Sequence, residues 1–212
     1  MAKIIALIGI DGSGKTTQAT LLCNVLRSHG IKARIFYAGN TGIRMGYNYS
    51  FYLSLPIDII RNRLLRTRSN LLPSRYEWLF KLETFLLFLN YLLLILPRMI
   101  IYGKIYRVLI TDRFVYDYIL STVVQKRYSR TLTKVLLRIV PKPMITILLD
   151  VDPLIAYHRK GGEKPMDELC SLRLLYRLFI DSIGGNIIKA SGSKMDTFKE
   201  ILRVVVPCVL KK

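Results

Sequence analysis

Gly9-Ile10-Asp11-Gly12-Ser13-Gly14-Lys15-Thr16 matches the pattern G-x-x-x-x-G-K-[ST] in full. The residues before it, Lys3 to Ile8, form an apolar run rich in branched side chains, as expected of a parallel strand buried on both faces. The residues after it, Thr16 to His29, read as a helix closed by Gly30. Strand, glycine loop and helix in that order separate a phosphate-binding loop from an ordinary glycine turn. Gly12 and Gly14 permit turns that side chains resist, so successive backbone N–H groups face one concavity suited to an anion. The helix start adds its positive dipole end. In this arrangement Lys15 reaches the β- and γ-phosphates of a nucleoside triphosphate, and the Thr16 hydroxyl holds Mg²⁺.

Composition bounds the rest. A chain of 212 residues is expected to form one domain with a substantial core, and a mean hydropathy of +0.31 argues against disorder. Cys23, Cys170 and Cys208 are odd in number and widely spaced, which suits reduced thiols inside a cell rather than a disulfide framework or a metal site. The chain opens directly into its first strand, so no signal peptide is expected and a cytoplasmic location is. The formal net charge of +19 implies attraction to polyanions: nucleotides, nucleic acid or an anionic membrane. Basic residues gather at Arg61, Arg63, Arg66, Arg68 and Arg75, and again at Lys126, Arg127, Arg130, Lys134 and Arg138. Each cluster has a plainer reading as a solvated face.

Further strand candidates are Ala33 to Tyr37, Val108 to Thr111, Met144 to Leu149 and Asn186 to Lys189, with helical stretches between them. That alternation predicts an α/β fold: a five-stranded parallel sheet with helices on both faces, in three layers. Ligands of such sheets bind beyond the carboxyl ends of the strands. The run Phe85 to Leu96 is apolar nearly all round, within a longer stretch from Trp78 to Tyr102. It is too short to span a bilayer and is broken by Pro97 and Arg98, so a buried helix is expected. The neighbouring arginines keep open a second reading, a surface facing a partner or an anionic membrane.

Val108-Leu109-Ile110-Thr111-Asp112-Arg113-Phe114 is a buried strand ending in an acid and a base. Asp112 at that tip is placed to hold Mg²⁺ through water or to orient an attacking oxygen, and Arg113 to neutralise a transferring phosphoryl group. A plain strand-end ion pair is the alternative. Asp152 before Pro153 reads as an N-cap followed by proline at the first helical position, while Asp150 stays undecided. The following His158-Arg159-Lys160-Gly161-Gly162-Glu163-Lys164-Pro165 is either a flexible basic loop or a lid that closes Arg159 or Lys160 over phosphates.

Taken together, Gly9 to Thr17, Thr111-Asp112-Arg113-Phe114, and Leu149-Asp150-Val151-Asp152-Pro153 with its basic flap resemble the thymidylate kinase family of P-loop nucleoside monophosphate kinases. The likeness covers most of the chain. It implies a P-loop NTPase fold, ATP and Mg²⁺, often a homodimer, and a nucleoside monophosphate acceptor, dTMP by family default. Gly9, Asp11, Gly12, Ser13, Gly14, Lys15, Thr16 and Thr17 would then bind the nucleotides, with Asp11 accepting from the acceptor's sugar hydroxyl. Thr16 and Asp112 would serve the metal. Ser191, in Ala190-Ser191-Gly192-Ser193, would lie where the family meets adenine. Lys15, Asp112 and Arg113 would carry catalysis. Some members place a charged catalytic residue inside the loop where this chain has Gly12, so Arg159 from a lid at about 159–166 is the candidate for that charge.

The acceptor side departs from the family. An Arg-Glu-Pro-type segment after the second strand is replaced by Phe36-Tyr37-Ala38-Gly39-Asn40-Thr41-Gly42, with Arg44 the nearest arginine. The helix that carries the family's base-reading arginine offers Asn90-Tyr91 here. A different acceptor is therefore the second reading, such as an isoprenoid or a glycan precursor presented at the inner face of a membrane. A nucleic-acid-binding ATPase is the third, supported by charge but by no recognisable nucleic-acid motif.

Overall fold

The computed structural model describes residues 2–37, 85, 89, 91–124 and 130–210. Five strands, β1 (Lys3–Ile8), β2 (Ala33–Tyr37), β3 (Val108–Asp112), β4 (Ile145–Asp150) and β5 (Asn186–Lys189), form one sheet in the order β2-β3-β1-β4-β5. All four pairings are parallel. Ile5 of the central strand pairs with Ile110 on one side and Ile145 on the other. β3 and β4 are buried along their whole length because helices cover both faces. At the sheet edge β5 keeps only Ile188 buried.

The helices are α1 (Lys15–Ser28), α2 (Leu96–Ile105), α3 (Val115–Val124), α4 (Arg130–Ile139), α5 (Pro153–Arg159), α6 (Met166–Ser182) and α7 (Lys194–Leu210). α1 packs on β2, β3 and α7, whereas α6 packs on β4, α3 and α5. These groups give the three-layer α/β P-loop architecture that the alternating pattern predicts. The most deeply buried side chains between them are aliphatic, joined by Phe114 and Met99, each worth about 1.5–3 kcal/mol of burial. Lys3 extends its ammonium to the carbonyls of Cys208 and Val209, 3.0 and 3.3 Å away, which caps the last turn of α7. Arg34 on β2 lies over the Tyr102 ring and donates to the Tyr106 hydroxyl at 2.9 Å, fastening the edge strand to the end of α2.

The apolar stretch before Pro97 differs from expectation. Tyr91–Ile95 is a π-helical turn that leads into α2. Pro97 has no N–H to give to the preceding turn, and the wider turn accommodates that break. Tyr91, Ile95 and Met99, spaced by four, are buried, but Phe85, Leu93, Ile101 and Ile105 are exposed. The helix is thus half core and half surface. No helix among the described residues is long and apolar enough to cross a membrane. Cys23, Cys170 and Cys208 are free thiols.

Candidate active site

The loop between β1 and α1 is built by backbone geometry. Gly12 has φ 88, and a Cβ there would stand 2.7 Å from the Ala156 carbonyl oxygen, so only glycine lets α5 approach the loop. Gly14 caps α1 without a side-chain bond, which leaves the first N–H groups of the helix directed at the loop. Lys15 is buried and turns its ammonium into the concavity, donating to the carbonyls of Gly9 at 2.7 Å and Ile10 at 2.8 Å and to Ser13 Oγ at 3.4 Å. Burial and the charge of Arg113 push its pKa below the ordinary lysine value, against the pull of Asp117, Asp11 and Asp112. Ser13 is buried, while Thr16 and Thr17 are exposed at the helix start.

Strand register brings the second motif alongside. Leu7 pairs with Asp112, which in turn pairs with Tyr37, so Asp112 stands at the carboxyl end of β3 next to the loop. Asp112 is buried, and its charge acts on the Lys15 ammonium. Asp112 at the strand end and the exposed Thr16 hydroxyl at the helix start both border this loop, and a carboxylate with a hydroxyl is a donor set that fits Mg²⁺, which uses one or two protein oxygens plus phosphates and water. No group of three or more His, Cys, Asp or Glu able to cage a metal occurs among the described residues.

Arg113 follows with φ 65, left-handed for a residue with a side chain, a conformation costing about 1–3 kcal/mol that neighbouring contacts must hold. Its guanidinium pairs with Asp11 inside the loop. Burial alone would lower the Arg113 pKa, but Asp11, Tyr37 and Asp117 raise it above the ordinary value. Asp11 also receives Lys164 Nζ at 3.1 Å. Burial acts to raise the Asp11 pKa, yet Arg113, Lys15 and Lys164 outweigh it and bring it to about 2.

Arg159 is the last residue of α5, and its Nη1 donates to the Gly12 carbonyl at 3.2 Å and the Ala190 carbonyl at 3.4 Å. One guanidinium thereby spans the phosphate loop and the turn after β5, where Ser191 is exposed. Gly161 (φ 62) and Gly162 (φ 75) terminate α5, and the Gly162 N–H returns to the Tyr157 carbonyl at 3.1 Å. Asp152 is the N-cap of α5, accepting from Leu154 N at 2.8 Å. Asp150 receives the Arg173 guanidinium at 2.6 and 3.1 Å, a structural pair between β4 and α6. Lys134 and Arg138 are exposed on α4. Arg44, residues 38–42, Asn90, the cluster from Arg61 to Arg75, and Lys126 with Arg127 lie outside the described residues.

Asp117 and Tyr176 escape a reading of the sequence. Asp117, on the first turn of α3, accepts from Phe114 N at 2.8 Å, from the Tyr176 hydroxyl at 2.6 Å and from Gly9 N at 3.4 Å. Burial pushes its pKa up, opposed by Lys15, Tyr176, the Phe114 N–H and Arg113. The local signal was an acid three residues past the helix N-cap, half of a capping box. That spacing points to Phe114 and says nothing of Gly9 or Tyr176.

Residues 8–177 match the family model described as thymidylate kinase. A protein of Archaeoglobus fulgidus named "Probable thymidylate kinase" is 26% identical over 216 residues, spanning 98% of this chain and 96% of that protein. The matched residues include the glycine loop, the Asp112-Arg113 corner and the α5–α6 segment. This chain belongs to the thymidylate kinase family and is a phosphotransferase of that type.

Proposed function

We propose that this chain transfers the γ-phosphoryl group of ATP to dTMP, and that Thr16 and Asp112 would hold the Mg²⁺ ion. The observation that carries the reading is the Leu7–Asp112 register, which sets the Asp112-Arg113 corner against the loop holding Lys15. Transfer of this kind is positioning plus charge neutralisation. The loop from Gly9 to Gly14, with Ser13, Lys15 and Thr17, holds the donor phosphates, and Ser191 borders the donor base. Once held there, Mg²⁺ would supply neutralisation of charge on the phosphate oxygens. Arg113 and Arg159 offset the charge that develops on the transferring group, and Asp11 orients Arg113 and the acceptor sugar. The chain acts as one domain whose segment at about 159–166 closes over the nucleotides and excludes water.

The test is turnover of dTMP with ATP and Mg²⁺ by the purified chain, run beside dUMP, dCMP and isoprenyl monophosphates. Conversion of dTMP to its diphosphate at the highest kcat/KM supports the reading. Binding of ATP without transfer to any nucleoside monophosphate rejects it.

A second acceptor class is favoured by one observation, the exposed Leu93, Ile101 and Ile105 on a segment that also exposes Lys104 and Arg107. An apolar face of this kind suits an acceptor held at a membrane surface. Sedimentation with anionic liposomes, together with turnover of an isoprenyl phosphate, supports that alternative, and dTMP turnover without liposome binding removes it.

A further inference from the structure

The carboxylate of Asp117 receives hydrogen bonds from three parts of the chain that are far apart in sequence. Oδ2 accepts from Phe114 N, the residue that follows the strained Arg113. Oδ1 accepts from Gly9 N, the first residue of the phosphate loop, and from the Tyr176 hydroxyl in the middle of α6. Both side chains are buried. A helix cap accounts for the Phe114 bond alone. The bonds to Gly9 and Tyr176 belong to other elements and serve no purpose in starting α3. A carboxyl group offers acceptors on both oxygens; an amide in its place has one acceptor oxygen and an NH₂ that faces a donor.

We propose that Asp117 is a positioning residue for phosphoryl transfer: it fixes the loop that holds the donor phosphates against the Asp112-Arg113 corner, and Tyr176 fixes Asp117. This rests on the kinase reading above. Arg113 stays left-handed because the next N–H is pinned, and Gly9 stays in register with it because the same carboxylate holds both. Phosphoryl transfer depends on alignment, so slack between these two segments lowers the rate of the chemical step more than it lowers affinity for nucleotide.

Two full-length variants test this, Asp117→Asn and Tyr176→Phe, the second keeping the ring that fills the core. Amide exchange is measured for residues 9–16 and 112–117, with the thermal midpoint and with kcat and KM for ATP and dTMP. Exchange is expected to rise in both segments together, by about tenfold, while the midpoint moves by a few degrees at most. In Tyr176→Phe, kcat is expected to fall by about 10–100-fold, with the KM for ATP changing by less than about threefold. Exchange that rises in one segment only or along the whole chain, or an unchanged kcat, overturns the inference. If wild-type protein fails to phosphorylate dTMP, the acceptor assignment fails, and the paired exchange still decides the role of Asp117.

Discussion

Arg159 Nη1 lies 3.2 Å from the carbonyl oxygen of Gly12, so the end of α5 rests on the phosphate loop. This guanidinium is the one proposed to supply the charge that Gly12 lacks, and it arrives from another element. Arg159→Ala is expected to lower kcat by about 10²–10³-fold with little change in ATP affinity, since the charge matters most when the phosphoryl group is in transit. Arg159→Lys should recover only part of this, because an ammonium does not reproduce the planar fork. Steady-state kinetics beside ATP calorimetry check the split, and an unchanged kcat in Arg159→Ala removes Arg159 from the catalytic set.

Lys15 fills the loop with its ammonium, held by two backbone carbonyls and Ser13. Lys15→Ala is expected to reduce transfer by at least about 10³-fold while the far-UV circular dichroism spectrum stays native. Turnover retained in this variant means the donor phosphates bind elsewhere.

Gly12 has no room for a side chain. Gly12→Ala places a Cβ 2.7 Å from the Ala156 carbonyl oxygen at φ 88. Loop and α5 must then separate, and a cost of about 1–3 kcal/mol is expected from the backbone conformation alone. Thermal denaturation should show that loss, and activity should fall further than stability because Arg159 is carried away from the loop. A variant with wild-type stability and kcat contradicts the close approach.

Asp11 gives the chain an acid-sensitive contact. Its pKa is lowered from 3.8 to about 2 on folding, so the ion pairs with Arg113 and Lys164 contribute stability above the unfolded value. That contribution, about 2 kcal/mol, is lost as pH falls from about 5 toward 2, where the carboxylate protonates in the folded state. Asp11→Asn should flatten this limb of the stability–pH curve while leaving its neutral plateau lower. A variant that loses stability with acid as steeply as wild type shows that other carboxylates govern the limb.

Much of the fold and half of the site were legible because their signals are local. β1, β2 and β5 begin and end where read, since apolar runs and glycine or polar breakers mark strand limits within a few residues. β3 and β4 each reach one residue further, to Asp112 and Asp150, because pairing with neighbouring strands extends the ladder past the apolar run, and β4 begins at Ile145, one residue after the Met144 read from the sequence. Asp152 was readable as a cap from the proline after it. The glycines after Arg159 read as a flexible basic loop or a lid, and neither reading foresaw that Gly161 and Gly162 terminate α5.

Contacts between distant segments were not legible. Asp117 meets Gly9 across 108 positions and Tyr176 across 59, and no pattern along the chain links them. The apolar run before Pro97 reads as buried all round, yet which side of a helix meets the core depends on what packs beside it. Gly9 to Thr16, with an apolar strand before and a helix after, was enough by itself to determine a phosphate-binding loop in an α/β fold, because backbone turns and strand burial are set by neighbours in sequence. Only the tertiary structure decided what that loop touches. Parallel pairing delivers Asp112 and Arg113, α5 delivers Arg159, and α6 delivers Tyr176 through Asp117. Those meetings follow from chain reversal and close packing, which bring together side chains that no local spacing relates.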